Sequence, residues 1–167
     1  KEKVNLFGIG VQDKSNLLNT KKGFVPNSDY YNKLYGFKNW KSSTVISLAI
    51  GQGELLVTPL QLCNLSCIIA NKGYYISPHI AKKIENQSLN EDRSKNIINV
   101  NEDHFDIIER GMRSAFTNKK MGSCQNVEIN NLQQCGKTGT TQNPHGEDHS
   151  MFIGYAPLEK PQIAITV

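Results

Sequence analysis

No apolar run in this chain approaches the roughly 18 residues that a membrane-spanning helix needs. The opening Lys1-Glu2-Lys3-Val4 lacks the apolar core of a secretory signal peptide. Cysteine is scarce: Cys63, Cys67, Cys124 and Cys135 are too few and too scattered for a disulfide framework, and they do not identify a compartment. Aromatic residues make up 8% of the chain and seldom stand beside its scattered lysines. The net charge of +4 therefore describes a mildly basic surface and argues against a nucleic-acid partner. Gly51-Gln52-Gly53 has no third glycine and no strand-turn-helix frame, so a nucleotide loop is rejected and a tight turn is expected. What 167 residues do permit is one domain with a real core.

Residues 4 to 27 read as loops and short extended pieces. Tyr30, Tyr31, Tyr35, Phe37 and Trp40 follow as an aromatic cluster, expected to pack against the domain body. Thr58 is a good N-cap and Pro59 suits the first helical position, where its missing N–H costs nothing. Leu60, Cys63, Leu65, Cys67, Ile68 and Ile69 then predict a largely buried helix that Gly73 is placed to end. Cys63 and Cys67 share a face of it, as small buried residues rather than half a metal site. Tyr74 to Ile84 is expected to be extended, and residues 85–96 to form a solvated loop or hairpin tip. Asn101 can cap a second helix over Glu102 to Thr117, with Phe105, Ile108, Met112 and Phe116 as its apolar face. Residues 118–131 read as loop. Strands near 133–141, 150–156 and 162–167 should then lie side by side, antiparallel, on that helix. In the last of them Ile163, Ile165 and Val167 alternate with Ala164 and Thr166, as in a half-buried strand. The fold class is α+β.

Chemistry concentrates in Cys135-Gly136-Lys137-Thr138-Gly139-Thr140-Thr141-Gln142. On a strand, Lys137 and Gly139 point one way while Thr138 and Thr140 point the other. Glycine at 139 lets another group approach the backbone, whose N–H groups can meet a substrate beside an ammonium and hydroxyls. That combination suits an anionic acyl substrate. Downstream, His145-Gly146-Glu147-Asp148-His149 resembles a metal loop, but a free loop does not hold such spacing. A polar turn with local hydrogen bonds from Asp148 and His149 is the preferred reading.

Taken with Gly51-Gln52-Gly53, Thr58-Pro59-Leu60-Gln61-Leu62, Ala70-Asn71-Lys72-Gly73, Pro78-His79 and Phe152 to Pro157, the Lys-Thr-Gly segment resembles the transpeptidase domain of class B penicillin-binding proteins. The Asp148-His149 pair is similar to the elongation-type branch. The resemblance implies a partial penicillin-binding transpeptidase fold, β-lactamase-like, whose antiparallel sheet carries Lys-Thr-Gly against helices. It implies acyl transfer through a serine acyl-enzyme, with no cofactor and no metal. Lys137 would supply positive charge, Gly139 room for the acyl group, and Thr138 a motif position. Thr140 would bind the terminal carboxylate of a D-Ala-D-Ala stem peptide or a β-lactam through its hydroxyl, and offer its N–H to the oxyanion. The implied setting is the periplasmic side of the bacterial inner membrane, with a membrane anchor elsewhere in the parent protein and cell-wall elongation proteins as partners.

The pattern also demands Ser-x-x-Lys and Ser-x-Asn. No serine here is followed by lysine three positions later. Thr117-x-x-Lys120 is an imitation at a helix end, and Ser88-Leu89-Asn90 and Ser94-Lys95-Asn96 stand on the wrong side of Gly51-Gln52-Gly53. Residues 1–167 are therefore expected to be the C-terminal part of a single transpeptidase domain, truncated at both ends and inactive alone. The alternative is a non-catalytic binding or scaffold module of the same fold, and a β-lactamase is a weaker third reading.

Overall fold

The computed structural model describes residues 1–12, 20–80, 83–84, 87–88, 94–143 and 145–167. Three short helices come first: α1 (Glu2–Leu6), α2 (Ser28–Tyr35) and α3 (Ser42–Ala49). α1 corrects the loop expected there. It is little more than one turn, too short for an apolar period to register, and Gly8 closes it at φ +78°. α2 starts at Asn27, whose side chain accepts the Tyr30 N–H. Tyr31 is buried among the rings of Tyr30, Tyr35 and Trp40, and its hydroxyl donates to Glu54 at 2.7 Å. Phe37 departs from the expected packing, remaining 74% exposed.

Helix α4 (Pro59–Ala70) begins as expected, with Thr58 as N-cap. A reciprocal pair closes its first turn: Gln61 N–H donates to Thr58 Oγ1, and Thr58 N–H donates to Gln61 Oε1. The same buried Gln61 donates from Nε2 to the carbonyls of Lys22 at 2.9 Å and Val11 at 3.3 Å, tying the leading loop to the helix. Gly73, at φ +114°, turns the chain out of the helix.

Strand β1 (Tyr74–Ile76) follows, then β2 (Lys83–Ile84), β3 (Gln87–Ser88) and β4 (Lys95–Ile97). β1 pairs with β4 and β2 with β3, both antiparallel, so a hairpin occupies part of the expected polar tip. Residues 81–82, 85–86 and 89–93 of that tip lie outside the described residues. Helix α5 spans Glu102–Thr117 as predicted, with Asn101 accepting the Asp103 N–H. Phe105, Met112 and Phe116 are buried, but Ile108 is 45% exposed. At about 100° per residue, Ile108 stands about 60° off the stripe and Glu109 about 40° on its other side. Glu109, not Ile108, turns toward the sheet.

A short 3₁₀ turn, Gln125–Val127, interrupts the loop that leads to the sheet. The sheet is β5 (Cys135–Thr141), β6 (His149–Ala156) and β7 (Ile163–Thr166), in that order and antiparallel throughout. α5 lies against β5, and α4 against β6 and β7. Ile68, Phe105, Met112, Cys135 and Tyr155 meet in the core between them. On β7 the alternation is as predicted, with the isoleucines on the open side. Ala164 sits opposite the buried Tyr155 and packs on the core, while Ile163 and Ile165 are 63% and 46% exposed. A small side chain is what fits between the sheet and α4.

Gln61→Leu should destabilise the protein by about 2–4 kcal/mol, because it removes the acceptor of the Thr58 N–H and strips donors from two loop carbonyls. Gln133→Leu, at an exposed position, should cost almost nothing. Urea-unfolding midpoints of the two variants check this.

Candidate active site

In this sheet, one strand's bonds decide where another's point. Phe152 exchanges both backbone hydrogen bonds with Val167, each 2.9 Å. Its N–H and C=O therefore face away from β5, and the Thr138–Phe152 pair is of the non-hydrogen-bonded kind. Strand periodicity gives Thr140, opposite Ser150, the same orientation. Thr138 and Thr140 thus turn their backbone groups to the outer side of β5, where no further strand is paired among the described residues. Both outward carbonyls are engaged. The Lys137 ammonium donates to the Thr138 carbonyl, and Gln52 Nε2 donates to the Thr140 carbonyl at 3.1 Å. The N–H groups of Thr138 and Thr140 lie on that same edge.

Side chains alternate as the sequence predicts. Lys137 and Gly139 are exposed on one face, and Thr140 is exposed on the other. At Gly139 an added Cβ would meet only Met151 Cβ, at 3.8 Å, so the strand is open there. Gly136 is different: a Cβ would come within 2.5 Å of the Phe152 ring, so this glycine serves packing. The Thr138 hydroxyl donates to Ser123 Oγ at 2.9 Å, tying β5 to the loop after α5. Lys137, Gly139 and Thr140 are therefore open to a ligand, while the Thr138 side chain is engaged within the fold.

Behind the strand lies a polar network that sequence reasoning missed. Tyr155, opposite Cys135, donates its hydroxyl to Glu109 Oε2 at 3.0 Å. Lys72 Nζ contacts Glu109 Oε1 at 3.1 Å and also Asp106. Burial, with Cys135 and Glu109 beside it, holds the Tyr155 hydroxyl far above the ordinary tyrosine range. Burial alone would pull Lys72 down, but hydrogen bonds to Asp106 and Glu109 outweigh it and the net shift is upward. The signal available in the sequence was Glu109 itself, a carboxylate bordering the apolar stripe of α5. Arg113 completes the support, donating to the Gln134 carbonyl at 3.3 Å and to Glu128 at 2.8 Å.

The remaining candidates resolve locally. In the loop before β6, Asn143 N–H donates to Asp148 Oδ1 and His145 N–H to Asn143 Oδ1, each at 3.0 Å. The bond to Asp148 is of the kind expected of a polar connection, while His149 begins β6 opposite Thr141. Among the described residues, no group of three or more His, Cys, Asp or Glu side chains is arranged to hold a metal. Thr117 donates back to the Arg113 carbonyl at 3.3 Å, as a helix-end threonine does. Two of the thiols are poor nucleophiles: burial, with Cys63 adding to it, pushes Cys67 up to about 11, and burial also raises Cys135.

An α+β domain with a Lys-Thr-Gly strand at its sheet edge is the architecture of penicillin-recognising acyltransferases. Over residues 1–167 the chain matches the penicillin binding protein transpeptidase domain, and it belongs to that family. The peptidoglycan D,D-transpeptidase MrdA of Acinetobacter baumannii is 30% identical over 179 residues, covering 96% of this chain and 26% of that protein. MrdA of Haemophilus influenzae is 26% identical, over 96% of this chain and 28% of its own length. The crystal structure of Pseudomonas aeruginosa PBP2 in complex with WCK 5153 matches with a TM-score of 0.83 at 30% identity, covering 97% of this chain and 36% of that one. PBP2 of Helicobacter pylori, solved with MreC, shares the fold at a TM-score of 0.82 and 24% identity, over 98% of this chain and 30% of that one. These likenesses agree with the elongation-type branch expected from Asp148-His149. The chain spans about a quarter of the length of these curated relatives. Among the described residues, no helix is long and apolar enough to cross a membrane.

With its thiol near 11, Cys67 should resist iodoacetamide in the folded protein at pH 8, where less than about 1% is thiolate. Peptide mass spectrometry should find it unlabelled in buffer and fully labelled in urea.

Proposed function

We propose that this chain is the C-terminal part of a D,D-transpeptidase that cross-links peptidoglycan on the periplasmic side of the inner membrane. It contributes the Lys-Thr-Gly edge, while the nucleophilic serine and its lysine lie in sequence outside these residues. The observation that supports this best is the outward orientation of the Thr140 backbone on an exposed strand that also bears Lys137.

In this reading the serine hydroxyl of the whole protein attacks the carbonyl of the penultimate D-Ala. The serine proton passes to its base, the C–N bond breaks, and terminal D-Ala leaves after accepting a proton. An amine of a second stem peptide then attacks the acyl-enzyme and regenerates the serine. Thr140 N–H is one of two oxyanion donors, with the serine's own amide as the other, and such a donor is worth about 3 kcal/mol. The Thr140 hydroxyl and the Lys137 ammonium hold the substrate carboxylate. Gly139 leaves room for the acyl group against the strand. A β-lactam would acylate the same serine by opening its ring. Cell-wall elongation proteins are the proposed partners of the whole protein, a relative having been solved with MreC.

Two experiments test this reading. The isolated chain should show no added mass after incubation with penicillin, and a stoichiometric serine adduct would contradict the placement of the nucleophile outside it. In the full-length protein, Thr140→Ala should slow β-lactam acylation roughly tenfold to a hundredfold, the equivalent of ~1.5–3 kcal/mol. Lys137→Ala should cost at least as much, because it removes a whole charge, whereas Lys119→Ala in an exposed turn should change little. Parent rates for both Thr140→Ala and Lys137→Ala, with normal melting, would reduce Lys137 to an ordinary strand lysine.

A further inference from the structure

We infer that Gln52 is a positioning residue for acyl transfer: by holding the Thr140 carbonyl on the open edge of β5, it aims the Thr140 N–H at the reacting carbonyl. The inference rests on the role proposed above for Thr140.

Thr140 stands one residue from the end of β5, and ladder pairing stops at Thr141 opposite His149. On its β6 side the strand is held through Gly139 and Thr141, so the Gly139 carbonyl steadies the peptide that carries the Thr140 N–H, while the outward-facing groups of Thr140 make no bond to β6 themselves. The last rungs of a ladder open most readily, and when they open the Thr140 N–H sweeps a range of directions. The Gln52 amide reaches across from a segment 88 residues earlier in the chain and holds the next peptide, the one that carries the Thr140 carbonyl, so that the peptides on both sides of Thr140 are restrained.

The glutamine can do this because its own backbone is fixed. Its N–H donates to the Ser47 carbonyl at 3.0 Å, and the Gly51 N–H donates to Leu48 at 3.0 Å, so the turn is fastened to the end of α3. Gly51 at φ +80° and Gly53 at φ +74° supply the left-handed conformations on either side of it. A neutral amide is also the suitable donor. It caps a carbonyl without adding a second charge to compete with Lys137 for an anionic substrate, and it leaves the carbonyl's other lone pair open. Glutamate has the same shape but presents a carboxylate oxygen to the carbonyl. Methionine fills the space without donating.

The test uses the full-length protein and penicillin. Gln52→Met should lower the acylation rate constant roughly tenfold to a hundredfold, as small misplacements in a reacting geometry do. The dissociation constant of the preceding non-covalent complex should stay within about twofold, because oxyanion contacts act in the transition state. Infrared spectra of the acyl-enzyme, made with carbonyl-labelled penicillin, should show the ester carbonyl band moved to higher wavenumber. Gln52→Glu should be slow at pH 8 and regain rate relative to the parent toward pH 5, as its carboxyl protonates and becomes a donor. This pH dependence carries the test if the methionine variant does not fold. Parent rates and an unmoved band in Gln52→Met, or a flat pH ratio in Gln52→Glu, would overturn the inference. If Thr140→Ala and Lys137→Ala remain slow in that case, the proposed function survives without it. Parent rates in all the variants would overturn both.

Discussion

The pair of backbone bonds between Phe152 and Val167 sets the direction of everything at the sheet edge. A residue in a strand sends its N–H and C=O to the same side, so Phe152 cannot serve β5 as well as β7. Its opposite, Thr138, and Thr140 two positions on must therefore face outward. An exposed strand edge is ordinarily a liability, since unpaired donors and acceptors invite another chain. Here the outward carbonyls are covered from within the molecule, by Lys137 and by Gln52. What remains is an edge biased toward donors beside an ammonium, the local chemistry suited to an acyl group that gains negative charge as it reacts.

That edge is only as steady as what lies behind it. Cys135 and Gly136 leave no room beneath the start of β5, because the Phe152 ring crosses over Gly136 and Cys135 is buried in the core. Tyr155, Glu109 and Lys72 then link β6, α5 and the end of α4 through one carboxylate. A buried hydroxyl such as that of Tyr155 is costly when its partner is missing, so its bond to the half-buried Glu109 helps specify how α5 meets the sheet. Thr138 adds a tie on the other face, through Ser123. The candidate residues thus stand on a strand that is packed at its start, tied through Thr138, and open from Gly139 onward and along its outer edge.

Much of this arrangement was legible in the sequence because it follows local rules. The Thr58–Pro59 start of α4, the Asn101 cap of α5 and the three antiparallel strands all came from caps and periodicity, and the alternation of Lys137 against Thr138 came from the strand period alone. Thr58 and Gln61 also spell a capping-box spacing, a legible signal left unread. Other features were set by tertiary contact. Ile108 against Glu109 turned on a few tens of degrees around a helix, and on a tyrosine hydroxyl 46 residues away in need of an acceptor. The side of β7 that packs was decided by α4, against which Ala164 fits. Gln52 was readable as part of a turn, but nothing local says that its amide finds a carbonyl 88 residues on. Contacts at that separation have no signature in one chain's residue pattern.

A crystal structure of the full-length protein acylated by a penicillin would show whether the Thr140 N–H meets the reacting carbonyl. The acyl carbonyl oxygen should lie within about 2.7–3.1 Å of the Thr140 nitrogen, with the Gln52 amide still on the Thr140 carbonyl. An acyl oxygen directed away from β5, with the Thr140 N–H facing bulk solvent, would contradict the role proposed for Thr140.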